Sequence, residues 1–224
     1  MTSFGALAHV PPPGERRIAV RVTPDALRHV RRGHPWVFDQ SIVSASFAGS
    51  AGDLAVVFDD RRDFAAIGLF DPGSPMRLRL LHHGKARNID ADFWADHLRR
   101  SVTVRQPLVE ASTGVLAVGA TTGYRVVNGE NDGWPGLIVD RYDRVLVVKL
   151  YTPAWFPHLA SVLQALVEEL APTGIVLRLA RNVASGETFG LVDGQVVFGQ
   201  ATEPVLFTEN GLTFEAHVLS GQKT

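Results

Sequence analysis

Residues 124–143 read YRVVNGENDGWPGLIVDRYD. Two short apolar runs, 124–128 and 136–140, enclose a polar loop whose glycines and proline demand an irregular backbone. A third run, 144–151, follows at once, so 141–143 is expected as a tight antiparallel turn. Leu159, Val162, Leu163, Leu166, Val167 and Leu170 then recur at helical spacing, which predicts a helix over 154–170 ended by Pro172 and Gly174. Beyond it, 175–180 reads as a strand and 190–198 as a hairpin with Asp193-Gly194 at its tip. A last strand, 204–208, pairs with 212–219 around Glu209-Asn210-Gly211. This half is therefore expected to be an α+β module with a mainly antiparallel sheet and one long helix.

Upstream the pattern changes. Residues 17–22 read as a strand, and Thr23-Pro24 opens a short helix with threonine as the cap and proline at the first position. Gly33 should stop that helix. The stretch HPWVF at 34–38 is extended because a residue before proline is pushed out of the α region. Within it Trp36 and Phe38 share a face and are expected to fill a core. Runs at 54–58, 64–70 and 76–81 read as further strands, with turns at 59–62 and 71–73. Short strands at this spacing suggest a small β-barrel over 15–85. A helix over 89–109, with Phe93, Leu98 and Val102 on one stripe, would link it (86–110) to the second domain at 111–210.

The 224 residues, 46% hydrophobic and 20% charged, with 22 basic against 23 acidic groups, describe one or two globular domains rather than a disordered chain. No apolar run is long enough for a membrane span, and the N-terminus lacks the blocks of a signal peptide, so a cytoplasmic location is expected. With no cysteine, disulfides, thiolate zinc sites, iron–sulfur clusters and a cysteine nucleophile within these residues are excluded. Phosphate-loop, EF-hand and dinucleotide glycine motifs are missing. His82 and His83 are adjacent and on a strand point to opposite faces, so no metal site is expected.

Residues 1–100 hold 14 basic and 11 acidic groups, against 8 and 12 in the rest. An anionic partner would therefore meet the N-terminal half. Its densest basic run comprises Arg16, Arg17, Arg21, Arg28, Arg31 and Arg32. With His34 and Trp36 beside it, the run combines cations and stackable rings, the equipment of RNA binding. In the second half, Asn128, Glu130 and Asp132 crowd one loop. Their carboxylates could hold a cation or trade protons, or could accept backbone hydrogen bonds in a structural loop with Asp140 and Arg141 as an ordinary ion pair.

Three stretches carry a resemblance: RRGHPWVFDQSI at 31–42, YRVVNGENDGWPGLIVDRYD at 124–143 and ENGLTFEAHVLSGQKT at 209–224. In this order they resemble the PUA-containing class I SAM-dependent methyltransferases related to bacterial large-subunit rRNA cytosine-C5 methyltransferases. The resemblance covers residues 16–224 and implies an N-terminal PUA barrel, a central α+β domain and a Rossmann-like catalytic domain, with 211–224 as the threshold of the last. It places Arg31, Arg32, His34 and Trp36 in the PUA motif, and Asn128, Glu130, Asp132 and Arg141 in a central-domain loop facing the catalytic cleft. It implies RNA, chiefly rRNA, as partner, no membrane, and S-adenosylmethionine as cofactor of a parent protein for which a homodimer is an open alternative. Within the 224 residues it implies no catalytic residue and no cofactor, because C5 methylation needs a thiolate to attack C6. Two rival readings stand: a free-standing RNA-binding or interaction module, and a small enzyme using Glu130 and Asp132.

Overall fold

The computed structural model describes residues 4–111 and 121–220; the GQKT stretch at 221–224 and the glycine-bearing 112–120 lie outside it. The N-terminal unit is a six-stranded sheet of β1 (Ile18–Val22), β2 (Trp36–Val37), β3 (Ile42–Ala45), β4 (Leu54–Phe58), β5 (Phe64–Phe70) and β6 (Leu78–His83), in the order β2-β6-β5-β4-β1-β3. Its two edges, β2 and β3, are joined in sequence through the 3-10 turn Asp39–Ser41, so the sheet curls into a barrel-like shape. Helix α1 (Pro24–Arg31) closes one end. Thr23 accepts a hydrogen bond from the Ala26 N–H as cap, and Leu27 and Val30 point into a core with Ile18, Val20, Val57 and Leu80.

Two expectations for this unit need correction. The last strand runs to His83 rather than ending at 81, because His82 and His83 pair with Ile67 and Ala66. Trp36 and Phe38 do not fill the barrel. Val37 takes the inward position at 2% exposure while Phe38 stands 44% exposed, since alternation along a strand permits only one of the two sets to face in.

Helix α2 (Ala91–Ala111) leads to a five-stranded sheet of β7 (Gly123–Asn128), β8 (Leu137–Tyr142), β9 (Val145–Leu150), β10 (Gly174–Leu179) and β11 (Gln195–Gly199), in the order β11-β10-β9-β8-β7. All pairings are antiparallel except β9 with β10, which are parallel and connected through α3 (Leu159–Leu170). The 141–143 turn is shifted: Arg141 and Tyr142 belong to β8, and Asp143-Arg144 make the two-residue turn. The helix expected from 154 begins as a 3-10 segment, Pro153–His158, because Pro157 cannot donate into an α-helical ladder. Residues 190–198 form no hairpin. Only β11 is a strand there, and Asp193 instead bonds Arg178 on β10. The short helix α4 (Arg181–Ala184) follows β10, and the hairpin β12 (Val205–Glu209) and β13 (Leu212–Ala216) closes the described chain.

One hydrophobic core joins the units. Strand β4 is buried on both faces: Ala55 and Val57 point into the barrel, whereas Leu54 and Val56 meet Trp94, Trp134, Trp155 and Phe156 of the second unit. Polar bonds stitch the same junction: Thr152 Oγ1 donates to Asp71 Oδ2 at 2.6 Å, and His158 Nε2 lies 2.7 Å from the Gly52 carbonyl.

Candidate nucleic-acid interface

The sequence-predicted arginines divide into anchored groups. Arg28 pairs with Asp25 across one helical turn at 2.6 Å, and Arg17 Nη2 donates to Asn88 at 2.9 Å. The Arg16 guanidinium lies 4.5 Å over the Phe47 ring. Arg31 reaches Asp59 at 2.6 Å, with its own side chain 57% exposed and that of Asp59 only 9%. Asp59 is held in place by the N–H groups of Arg61 and Asp63, so the turn fixes the arginine from below and leaves its other donors in solvent. Exposed Arg32 caps α1 through its backbone N–H.

This turn also shows what reading the sequence missed. Arg21 contacts Asp60 at 3.4 Å beside the Arg31–Asp59 pair, and Arg61 and Arg62 follow in the same exposed turn. Four arginines thus gather where the strands bring distant segments together. The adjacent Asp59-Asp60-Arg61-Arg62 tetrapeptide was the available signal, but its meeting with Arg21 and Arg31 depends on tertiary pairing.

From the same C-terminal end of α1 a row of rings leads on: His29 meets His34 edge-on at 6.0 Å, and His34 meets Trp36 at 5.7 Å. Trp36 is half-buried and directs its Nε1–H to Glu130 Oε1 at 3.2 Å, crossing from the barrel to the second unit. His83 Nε2 lies 3.1 Å from the His34 carbonyl, and burial lowers the His83 pKa.

The 128–141 residues are not brought to one point. Glu130 faces Trp36, with Arg79 close enough to feel its charge, whereas Asp132 turns to α2, pairing with Arg105 at 2.6 Å and accepting the Asn128 N–H at 2.6 Å. Asp140 pairs with Arg125, not with Arg141, which donates to the Asp143 carbonyl. These are the contacts of a structural joint: the loop turns through a 3-10 segment, Gly129–Asp132, with Gly133 in the left-handed region at φ 78°. Beside it His97 Nε2 bonds the Gly133 carbonyl at 2.8 Å, and burial lowers the His97 pKa to about 4. Among the described residues no cluster of acids and histidines has the geometry to hold a metal ion, and no helix is long and apolar enough to cross a membrane.

Residues 20–83 match the family model described as a PUA-like domain. The N-terminal unit is a PUA-like domain. The chain is 49% identical, over 210 residues, to a ribosomal RNA large subunit methyltransferase of Deinococcus radiodurans, covering 93% of this chain and 51% of the relative. It is 28% identical over 197 residues to a ribosomal RNA large subunit methyltransferase I of Pseudoalteromonas translucida, covering 88% and 48%. The chain spans about half the length of the curated relatives it matches. Among solved structures, a candidate SAM-dependent methyltransferase from Streptococcus mutans shares the architecture with a TM-score of 0.68 at 16% identity, covering 88% of this chain and 47% of that one.

Proposed function

We propose that these residues form the RNA-docking part of a SAM-dependent ribosomal RNA methyltransferase that acts on cytosine C5. The observation that carries the reading is the 49% identity to a ribosomal RNA large subunit methyltransferase over nearly the whole chain, with a PUA-like domain at its start. In this reading 15–85 is the RNA-binding barrel, 86–110 the linking helix and 111–210 a spacer, with 211–224 leading toward the unit that transfers the methyl group. Arg16, Arg17, Arg28, Arg31 and Arg32 contact phosphates, and the His34 and Trp36 rings adjoin the bound strand. Glu130 and Asp132 act as positioning residues: they set the angle between barrel and spacer through Trp36 and Arg105.

The methyl donor of this reaction is S-adenosylmethionine, and the described residues do not fit it. The loop after β9 is Tyr151-Thr152-Pro153, with proline where a donor-binding turn needs free N–H groups, and Thr152 is committed to Asp71. In the cleft beside that loop Arg125 and Arg178 are paired with Asp140 and Asp193, which leaves Lys149 and Arg181 as the cations that oppose a sulfonium group. Attack on cytosine C6 needs a thiolate, and none of the 224 residues is cysteine. Donor binding and chemistry are assigned to the half of the relatives that this chain does not match.

Salt-titrated binding of large-subunit rRNA tests the proposal. The Arg31→Ala/Arg32→Ala variant should lower the slope of log affinity against log salt by roughly 0.7 to 0.9 per cation removed. An unchanged slope would remove the barrel arginines from the interface.

A further inference from the structure

One face of the five-stranded sheet packs on α2 and α3. The opposite face is only partly covered. The hairpin and the segment after it seal one end through Val145, Val176, Val205 and Val218. Between that hairpin and the carboxyl ends of the parallel pair β9 and β10 the face stays open as a cavity of about 650 Å³, with Phe207 and Glu215 on its hairpin wall and Arg125 and Asp140 on the sheet. It reaches the carboxyl ends of two parallel strands at Tyr151 and Arg181, the edge at which open α/β sheets accept ligands, and its size suits a nucleotide.

Side-chain alternation dictates what lines it. On β9 and just past it, Val147, Lys149 and Tyr151 face the cavity, and on β10 Arg178 stands in register with Lys149. Two like charges side by side need a counter-charge, and Asp193 supplies one: Arg178 holds it with two bonds of 2.9 and 3.0 Å. Arg125 and Asp140 neutralise each other at 2.8 Å. Lys149 and Arg181 have no carboxylate within ion-pair distance among the described residues, and Glu215 on the hairpin wall has no cation within that distance, so the lining is left with two unpaired positive charges against one negative. The Lys149 ammonium instead lies 5.0 Å over the exposed Tyr151 ring, and Tyr142 and Phe207 add aromatic surface edge-on at 5.1 Å. Two cations without a carboxylate partner around an exposed ring, one of them over the ring and close enough to Asp193 to lower its pKa, match a polyanion that also carries flat bases; duplex RNA, with its bases stacked away, would leave the ring unused.

We propose that this cleft holds single-stranded RNA, with a phosphate between Lys149 and Arg181 and a base stacked on Tyr151. The inference rests on the RNA-docking reading above and adds a second contact surface, on the spacer rather than the barrel. It is tested on the 224-residue chain with fluorescein-labelled oligouridylate, followed by photocrosslinking of oligo-4-thiouridylate and mapping of the attached peptide. Tyr151→Ala should weaken oligouridylate binding about tenfold. Lys149→Ala/Arg181→Ala should cut the salt slope by roughly 0.7 per cation, and the crosslink should fall on residues 142–151 or 178–184. Arg181→Glu, at an exposed position, decides the matter if Tyr151→Ala fails to fold. Unchanged affinity in these variants overturns the cleft. If the crosslink then falls on 16–36 the barrel reading survives alone, and a chain that binds neither oligouridylate nor rRNA sinks both.

Discussion

Arg79 of the barrel and Asp71 beside it lie 3.6 Å apart, Nε to Oδ2, with side chains only 6% and 5% exposed. That distance gives Coulomb attraction without a hydrogen bond, so Arg79 Nε has no hydrogen-bond acceptor among the described residues. The Asp71 oxygen it faces is already occupied by Thr152, and burial lowers the Arg79 pKa although Asp71 and Glu130 oppose the shift. Asp71→Ala would strand a buried guanidinium and should cost about 3 to 5 kcal/mol, read as a lower urea midpoint. Asp71→Leu/Arg79→Met should be less damaging than Asp71→Ala alone, since no charge is left unpaired. Equal loss in the two variants would show that packing, not charge pairing, dominates the site.

Acid should loosen the same junction through histidine. His97 is buried, and its folded pKa of about 4 lies below the ordinary 6.5. The unfolded chain therefore takes up the proton first as pH falls. The contribution of neutral His97 is complete above pH 6.5 and disappears between pH 6.5 and 4, an amount of about 3 kcal/mol. Burial lowers the His158 and His83 pKa values as well, adding to the same slope. Chemical denaturation across pH 4 to 7 should show stability falling toward acid, and His97→Gln, which can still donate to the Gly133 carbonyl, should flatten that fall. An identical slope in the variant would assign the acid sensitivity to other groups.

Much of this architecture is legible in the sequence. Leu54-Ala-Val-Val-Phe58 reads as a strand because a segment buried on both faces must be apolar throughout, and Thr23-Pro24 announces α1. Asn210-Gly211, at φ 50° and 80°, supplies the two left-handed residues of a two-residue hairpin turn. Asp193-Gly194 sends a similar signal without forming a hairpin, because Asp193 is recruited by Arg178, fifteen residues away, and no strand precedes the turn. Alternation alone sends Trp36 into the barrel core, where it is not found: its partner Glu130 is ninety-four positions away, beyond any local pattern. The candidate arginines are visible as composition, but which of them cluster depends on the Asp59–Asp63 turn meeting α1 and β1.

The Asp132–Arg105 pair allows the two readings of the 128–132 loop to be separated by stability. The side chains are 12% and 15% exposed, and Asp132 also holds the Asn128 N–H. Asp132→Ala should cost about 3 kcal/mol by leaving both donors unsatisfied. Glu130→Gln should cost below about 1 kcal/mol, because the Trp36 indole keeps an acceptor. Thermal denaturation checks both. A stable Asp132→Ala chain would return that carboxylate to the pool of groups free for chemistry.

The hairpin is fastened by a close approach rather than by a large core. Gly123 lies against the face of Phe207, and a Cβ there would fall inside the van der Waals envelope of the ring. Phe207 cannot retreat, since it meets Tyr142 edge-on at 5.1 Å and stacks on Phe214 at 5.6 Å. The backbone follows the ring: Thr122 N–H bonds the Thr208 carbonyl at 2.8 Å, and Thr208 N–H bonds Thr122 Oγ1 at 2.9 Å. Gly123→Ala should therefore lift β12 and β13 from the edge of β7 at a cost of about 1 to 3 kcal/mol. The loss should be local: amide exchange accelerates at 205–216 while α3 and the barrel keep their protection. If exchange instead rises evenly over the chain, the hairpin is part of the cooperative fold, and the cleft it borders is as rigid as the sheet beneath it.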